Sequence, residues 1–405
     1  MGYTDSMKKK TMLCSPLAAV LAAVLLALLC SCAGSLGLRD GQTIIVHYRT
    51  QGEEYAVTEL SRGAKFALPE DPVREGFAFN GWYVTCEEGV VGFDRAWLKA
   101  HRDCHEVTVN ARWLDTDYTM TPVSGFMMTS TIQDGAVYGG MIFKFHSDGL
   151  CNVFSMETGK RVGGFVLNQA DAYKPHCNSV CFSSEFYQEG DEFPLLYANI
   201  YNNYNKEEFE DKRAGMLCVY RIFREGSSFK SRLLQVIRVD FARIEPWRSG
   251  WDEEKQSFTD RSPWGNFIID TDENKLWAFV TRDENRTTRF FCFDIPAVEK
   301  TESPVSVKLT EAMVQRTFDI PYSWYLQGAC YHDGKIYSTE GMGTDANPTG
   351  IRVVDLEHGI EDCFVDLHAD PSYRREAEFI DFADGVCWYG DYKNSNVKLY
   401  TITGI

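Results

Sequence analysis

After residue 170 the chain places polar or aromatic side chains at equivalent points in successive apolar runs: His176, Asn178, Trp264, Asn266, Gln327, Glu376 and Glu378. Each group heads a strand-like stretch: His176-Cys177-Asn178, Trp264-Gly265-Asn266, Gln327-Gly328 and Glu376-Ala377-Glu378. Amides and carboxyls bond hydroxyl and peptide groups, while Trp324, Tyr322 and Tyr325 offer flat faces on which sugars or aromatic groups stack. One reading is a small-ligand or glycan pocket. The other is that Asn, Gln and Glu bond backbone groups and tie neighbouring strands together. In a catalytic version, His176 serves as general base and Glu376 or Glu378 as acid, a set suited to a hydrolase or lyase acting on glycans. The chain has no Gly-x-Ser-x-Gly elbow, His-Glu-x-x-His or phosphate-cradling loop, so a binding protein is favoured over an enzyme. Ser227-Ser228-Phe229-Lys230 fits Ser-x-x-Lys only formally, in an expected turn.

Metal spacing is missing too. Cys177 and Cys181 are four apart with no second ligand pair nearby. Asp270-x-Asp272-x-Asn274 starts like a calcium loop, but Lys275 stands where glycine is required and Thr281 where glutamate is. It reads as a hairpin turn. No metal and no cofactor is expected.

The elements that position these residues repeat. A turn followed by an apolar strand with a Tyr or Trp occurs at Asp134–Tyr138, Asp191–Tyr197, Asp272–Trp277, Asp333–Tyr337 and Asp384–Trp388. The aromatic anchors are 59, 80, 60 and 51 residues apart, and a further apolar strand follows each. Units of this length with several strands and almost no helical period predict a β-propeller over 116–405. Five blades are expected, and the long interval around 226–262 leaves room for a sixth. The innermost strands of a propeller begin near its axis, so the polar strand heads would line a central mouth. A strand near Tyr118–Val123 is expected to complete the last blade and remove an exposed edge.

Residues 43–115 have a different pattern. Thr43–Tyr48 alternates as a strand, prolines follow at 69 and 72, then come Gly76-Phe77-Ala78-Phe79-Asn80-Gly81-Trp82 and finally Ala111-Arg112-Trp113. This order resembles the internalin-type B repeat (the Listeria–Bacteroides repeat), carried by Pro72, Gly76, Phe77, Phe79, Gly81, Trp82, Ala111 and Trp113. The resemblance implies a small β-grasp-like module serving as spacer, stalk or interaction module on a bacterial surface. A short helix over Phe93–His101 is an extra relative to that pattern. The expected fold class is therefore all-β, a small repeat module followed by a propeller.

The first 31 residues read as an export signal: Lys8-Lys9-Lys10, an apolar run over Met12–Leu29, and small residues around a cysteine. Leu29-Cys30-Ser31-Cys32 resembles the lipobox of bacterial lipoproteins, which implies lipidation of Cys32 and a tether over 32–42. A plain transmembrane anchor is the other reading of this run. The whole chain carries a net charge of −17, which argues against nucleic acid and against docking on anionic lipid by charge. The expected location is the bacterial cell envelope, lipid-anchored, with the outer membrane as the expected membrane and either a periplasmic or a surface-exposed face. The expected partners are that membrane and a carbohydrate or protein ligand. Ten cysteines follow Cys32, mostly single and within apolar runs, the pattern of buried free thiols; Cys86 and Cys104 are the pair worth testing for a bridge.

Overall fold

The computed structural model describes residues 36–86, 89–126, 128, 131–200, 215–240, 251–252, 257–258, 266–282, 287–321, 323 and 325–405. The lipobox, Trp264, Tyr322 and Trp324 lie outside them. By contacts the chain divides into two compact units. One holds the described residues of Met1–His47, Ala56–Glu70 and Asp94–Val107; the other holds Tyr48–Tyr55, Asp71–Phe93 and Thr108–Ile405.

The first unit contains the expected short helix, α1 (Arg95–Ala100). Asp94 caps it by accepting from the Trp97 amide at 2.8 Å, satisfying one of the free N–H groups at a helix start. Leu98 is its buried residue, and the indole of Trp97 stacks on His101 with centroids 4.1 Å apart.

The strands of the repeat are β1 (Thr43–Thr50), β2 (Glu53–Ser61), β3 (Phe77–Cys86), β4 (Gly89–Gly92) and β5 (Glu106–Asp115). Within the second unit, Trp82 and Trp113 are buried and joined edge-to-face through Phe79, at 5.3 and 5.7 Å. Gly76 and Gly81 both have left-handed backbones (φ +80° and +90°), which explains glycine at those motif positions.

The chain then forms β6 (Thr119–Pro122) and the first of a series of antiparallel sheets, β7 (Gly135–Tyr138), β8 (Met141–Phe145), β9 (Leu150–Ser155) and β10 (Arg161–Val166). A short helix, α2 (Ala170–Tyr173), leads to the second sheet: β11 (Val180–Phe182), β12 (Leu196–Asn199), β13 (Met216–Glu225) and β14 (Ser228–Val239). After a two-residue pair, β15 (Trp251–Asp252) and β16 (Ser257–Phe258), the third sheet has β17 (Asn266–Asp270), β18 (Lys275–Arg282) and β19 (Thr287–Asp294). Next, β20 (Val305–Leu309) returns to pair parallel with β14, and β21 (Arg316–Pro321) completes the third sheet. The fourth run is β22 (Leu326–His332), β23 (Lys335–Glu340), β24 (Gly350–Asp355) and β25 (Ile360–Val365), which shares a nine-stranded sheet with the repeat. The last is β26 (Glu376–Ala383), β27 (Val386–Lys393) and β28 (Asn396–Thr403), completed by β6 as expected, with Ile402 opposite Met120.

The protein is all-β, and four free-standing sheets stand as blades of a propeller. The first strands contact one another in a closed ring, β7 to β11, β17, β22, β26 and back to β7. Alternation explains the packing. In β13, Cys218, Tyr220 and Ile222 face the core shared with the first sheet, while Leu217 and Val219 face the core shared with the third. Strands covered on both faces carry few polar residues, which is why these read as continuous apolar runs. All ten described cysteines are free thiols, eight of them buried.

One element differs from its sequence reading. Asp333-Gly334 and Asp384-Gly385 are tight turns with left-handed φ at both residues. Asp134-Gly135 looks the same but is not a turn. Gly135 opens the innermost strand of the first sheet, and a Cβ there would lie 2.8 Å from the Phe143 carbonyl. Tyr138 therefore sits on a first strand, whereas Tyr197, Trp277, Tyr337 and Trp388 sit on second strands.

Phe143 joins the first and second sheets, with its ring 5.1 Å from Phe182 and 5.4 Å from Phe193, both edge-on. Phe143→Ala is expected to lower stability by about 3–5 kcal/mol in urea unfolding, whereas Val162→Ala on an exposed position should change it by under about 0.5 kcal/mol.

Candidate functional site

The described site candidates lie at or shortly before the first strands of their sheets, His176 four residues before β11. Asn178 lies just before β11, Asn266 opens β17, Gln327 is second in β22, and Glu376 and Glu378 are first and third in β26. Asn178, Asn266, Gln327 and Glu378 are buried, while His176 and Glu376 are half-buried. A register shift between Leu326 and Ala329 and another between Ala377 and Phe379 fall at Gln327-Gly328 and Glu378. Such bulges re-aim side chains that a regular ladder would fix.

Most of these groups are engaged in joining strands. The Asn266 amide donates to the Gln327 carbonyl at 2.9 Å, linking β17 to β22. The Gln327 amide donates to Glu376 Oε1 at 3.1 Å, linking β22 to β26. Three residues that were not among the site candidates of the sequence complete the circle. Asp381 Oδ2 accepts from the Val137 amide at 2.6 Å, linking β26 to β7. Asp134 Oδ2 accepts from the Val180 amide at 2.9 Å, linking the head of β7 to β11. Ser179 Oγ donates to the Phe267 carbonyl at 2.5 Å and accepts from the Phe267 amide at 3.3 Å, linking β11 to β17. Every joint in the ring of first strands thus has a side chain across it. Asn178 stays within its own sheet, accepting from the Asn199 amide.

The circle is tight at Gly328. A Cβ there would lie 2.2 Å from the Glu378 carbonyl and 2.6 Å from Asp134 Oδ1. Only glycine lets the three first strands approach so closely.

Two carboxyls offer more than joining. Glu376 is half-buried and bonded to Gln327, and its pKa is raised by burial. Glu378 is almost completely buried, and its Oε2 has no hydrogen-bond partner among the described residues. Burial first, then the charges of Glu376 and Asp134, push the Glu378 carboxyl well above its ordinary range. A neutral carboxylic acid is a hydrogen-bond donor as well as an acceptor. His176 is driven down to about 4 by burial, so it is a neutral imidazole above that pH. Among the described residues, no group of three or more His, Cys, Asp or Glu is set to hold a metal ion, and no helix is long and apolar enough to cross a membrane.

Residues 45–91 match the family model of the Listeria-Bacteroides repeat domain. The repeat motif over Gly76–Trp82 lies inside that match, and β5 lies beyond it. No curated protein matches the chain. Solved structures similar to it include the glutaminyl cyclase of Myxococcus xanthus, 9% identical with a TM-score of 0.40, over 71% of this chain and 96% of that one. Another is the hydrazine synthase of Kuenenia stuttgartiensis, 12% identical with a TM-score of 0.35, over 69% of this chain and 80% of that one.

The axial carboxyls give stability a pH dependence of definite sign. Asp381 is pushed up to about 7 by burial, against the opposing bonds from the Val137 and Phe382 amides. Asp134 and Glu378 are also raised, chiefly by burial. Groups raised in the fold hold protons that the unfolded chain has released, so their stabilisation is complete below about pH 4 and is lost as pH rises through the folded value. Between pH 6.5 and 7.5 His176 is neutral in the fold and loses its remaining protonation in the unfolded chain, which opposes the trend by only about 0.3–0.4 kcal/mol. Between pH 6.5 and 7.5 urea stability is expected to fall, by up to about 1.4 kcal/mol per pH unit for each carboxyl protonated only in the fold. Asp381→Asn should flatten the slope. A slope that rises, or one that Asp381→Asn leaves unchanged, would contradict this assignment.

Proposed function

We propose that the chain is an envelope lipoprotein, held to a bacterial membrane through Cys32, whose propeller binds a carbohydrate or protein ligand at the mouth formed by the heads of its first strands. The closed ring of five first strands supports five blades, with β22–β25 as the blade that shares its sheet with the repeat. A sixth would have to come from the interval around 226–262, which holds β14, already part of the second sheet, and the short pair β15–β16.

The observation that carries the ligand reading is polar capacity beyond what joining requires. Asn266 and Gln327 are used in joints, but Glu376 keeps part of its surface and Glu378 keeps an oxygen without a partner. Neutral carboxyls that both donate and accept suit the hydroxyls of a sugar or the amides of a peptide. Tyr325, half-buried with a left-handed backbone just before β22, offers an aromatic face. The strongly acidic chain repels anionic ligands, so neutral or basic glycans and peptides are the expected class.

A second reading is a hydrolase or lyase acting on glycans. It is favoured by one point: Glu376 and Glu378 are raised toward the protonated state that a general acid needs.

Residues 32–405 screened on glycan and peptide arrays separate the two. Glu378→Gln is expected to weaken any specific hit about tenfold or more, as expected for a buried hydrogen-bond partner, with no product released by the unsubstituted protein. Turnover abolished by His176→Ala and Glu378→Ala would replace binding with catalysis, and no hit at all would end the ligand reading. Anchoring has its own test. Palmitate labelling and membrane fractionation should both be lost in Cys32→Ala; retention of both would show the lipid assignment to be wrong.

A further inference from the structure

Within the second unit, the repeat is joined to β25 by ion pairs whose carboxylates are buried and whose cations range from buried to one third exposed. β5 runs parallel to β25, with Leu114 opposite Phe364. Arg74 forks onto Asp362 at 2.9 and 3.3 Å, and Asp362 also receives Lys335 Nζ at 2.7 Å. Beside this pair runs a longer series. Arg112 Nε donates to Glu361 Oε1 at 3.1 Å, and Arg352 Nη1 binds the other oxygen of Glu361. Arg352 also grips Glu340 with both sides of its fork, at 2.8 and 3.2 Å. The side chains of Arg352, Glu340 and Glu361 are at most 2% exposed.

The series ends beside the mouth. Glu340 is the last residue of β23, and the next residue, Gly341, donates to the Tyr325 carbonyl at 3.1 Å. The Gly341 carbonyl accepts from the Ala377 amide at 3.4 Å, and Ala377 lies between Glu376 and Glu378. Gly341 has little freedom to shift. Its φ is +98°, and a Cβ there would lie 2.0 Å from the Pro348 carbonyl.

Buried charges of this kind have few alternative arrangements, because an unpaired one is costly. Glu361 is shared between two guanidinium groups. Removing Arg112 leaves Glu361 wholly to Arg352, which lessens the hold of Arg352 on Glu340. We propose that the repeat positions the channel mouth: Arg112, acting through Glu361, Arg352 and Glu340, holds the Gly341–Ala377 contact that sets Glu376 and Glu378. Arg112 and Arg352 are then positioning residues, and whatever engages the repeat biases whatever engages the mouth, in both directions. The inference takes the mouth as the ligand site from the reading above, but its test needs no ligand.

The test is amide hydrogen exchange on the full chain, read by mass spectrometry. Arg112→Met is expected to speed exchange over residues 376–378 about tenfold. Arg74→Met alters the same joint but lies outside the series, and is expected to leave residues 376–378 within about twofold. Coupling is reciprocal, so Glu340→Gln should speed exchange over residues 112–114. Equal effects of Arg112→Met and Arg74→Met at the mouth would overturn the proposal, as would no effect from Arg112→Met. If Arg112→Met loosens the whole repeat, Glu340→Gln decides: protection unchanged over 112–114 overturns it. A chain that binds nothing on arrays yet shows this exchange pattern would end the ligand reading and leave the coupling intact.

Discussion

The arrangement depends on how the first strands are fastened to one another at the axis. Backbone ladders run within each sheet, so they cannot join one blade to the next. Between blades that task falls to Asp134, Ser179, Asn266, Gln327 with Glu376, and Asp381, each reaching across one joint. Three of these bonds are buried and two partly buried, and at the buried ones a missing partner would strand a donor or acceptor. The aromatic and aliphatic cores further out fill the wedges between sheets, but apolar packing is not directional. The polar circle is directional, and it fixes which strand meets which.

The same circle accounts for the two characters of the candidate site. Residue types that suggest sugar or peptide recognition are also those best able to bond a neighbouring backbone, and most are used that way. What is left is specific: a half-buried Glu376, a Glu378 oxygen without a partner among the described residues, and a His176 that burial keeps neutral above about pH 4. Burial pushes both carboxyls toward their neutral form, which favours hydrogen bonding over ion pairing there. Charge is concentrated elsewhere, in the Glu340–Arg352–Glu361–Arg112 series that joins the repeat to β25. The repeat's second half is therefore continuous with the propeller's structure and is not strung from it on a loose linker.

Much of this was legible in the sequence because both patterns involved are periodic. Strand heads at Asn266, Gln327 and Glu376 stood out because each leads an apolar run that ends in a turn. The repeat was legible through Gly76, Gly81 and Trp82, whose types are set by backbone conformation and a small core. Asp134 was missed because Asp-Gly ordinarily marks a turn, and nothing local distinguishes a strand-opening pair from one. Asp381 did leave a signal, a charge inside Glu376–Ala383, a strand otherwise covered on both faces; Ser179 left none. The joint at Arg112 and Glu361 spans 249 residues, and pairing over that distance is invisible without the fold.

A high-resolution crystal structure of residues 32–405, with ordered water located along the axis, tests the central claim most directly. The expected result is five dry joints, each spanned by the side chains named above, with water only at the mouth beside Glu376 and Glu378. A continuous column of water separating Asp134, Ser179 and Asp381 from the strands opposite them would contradict the account.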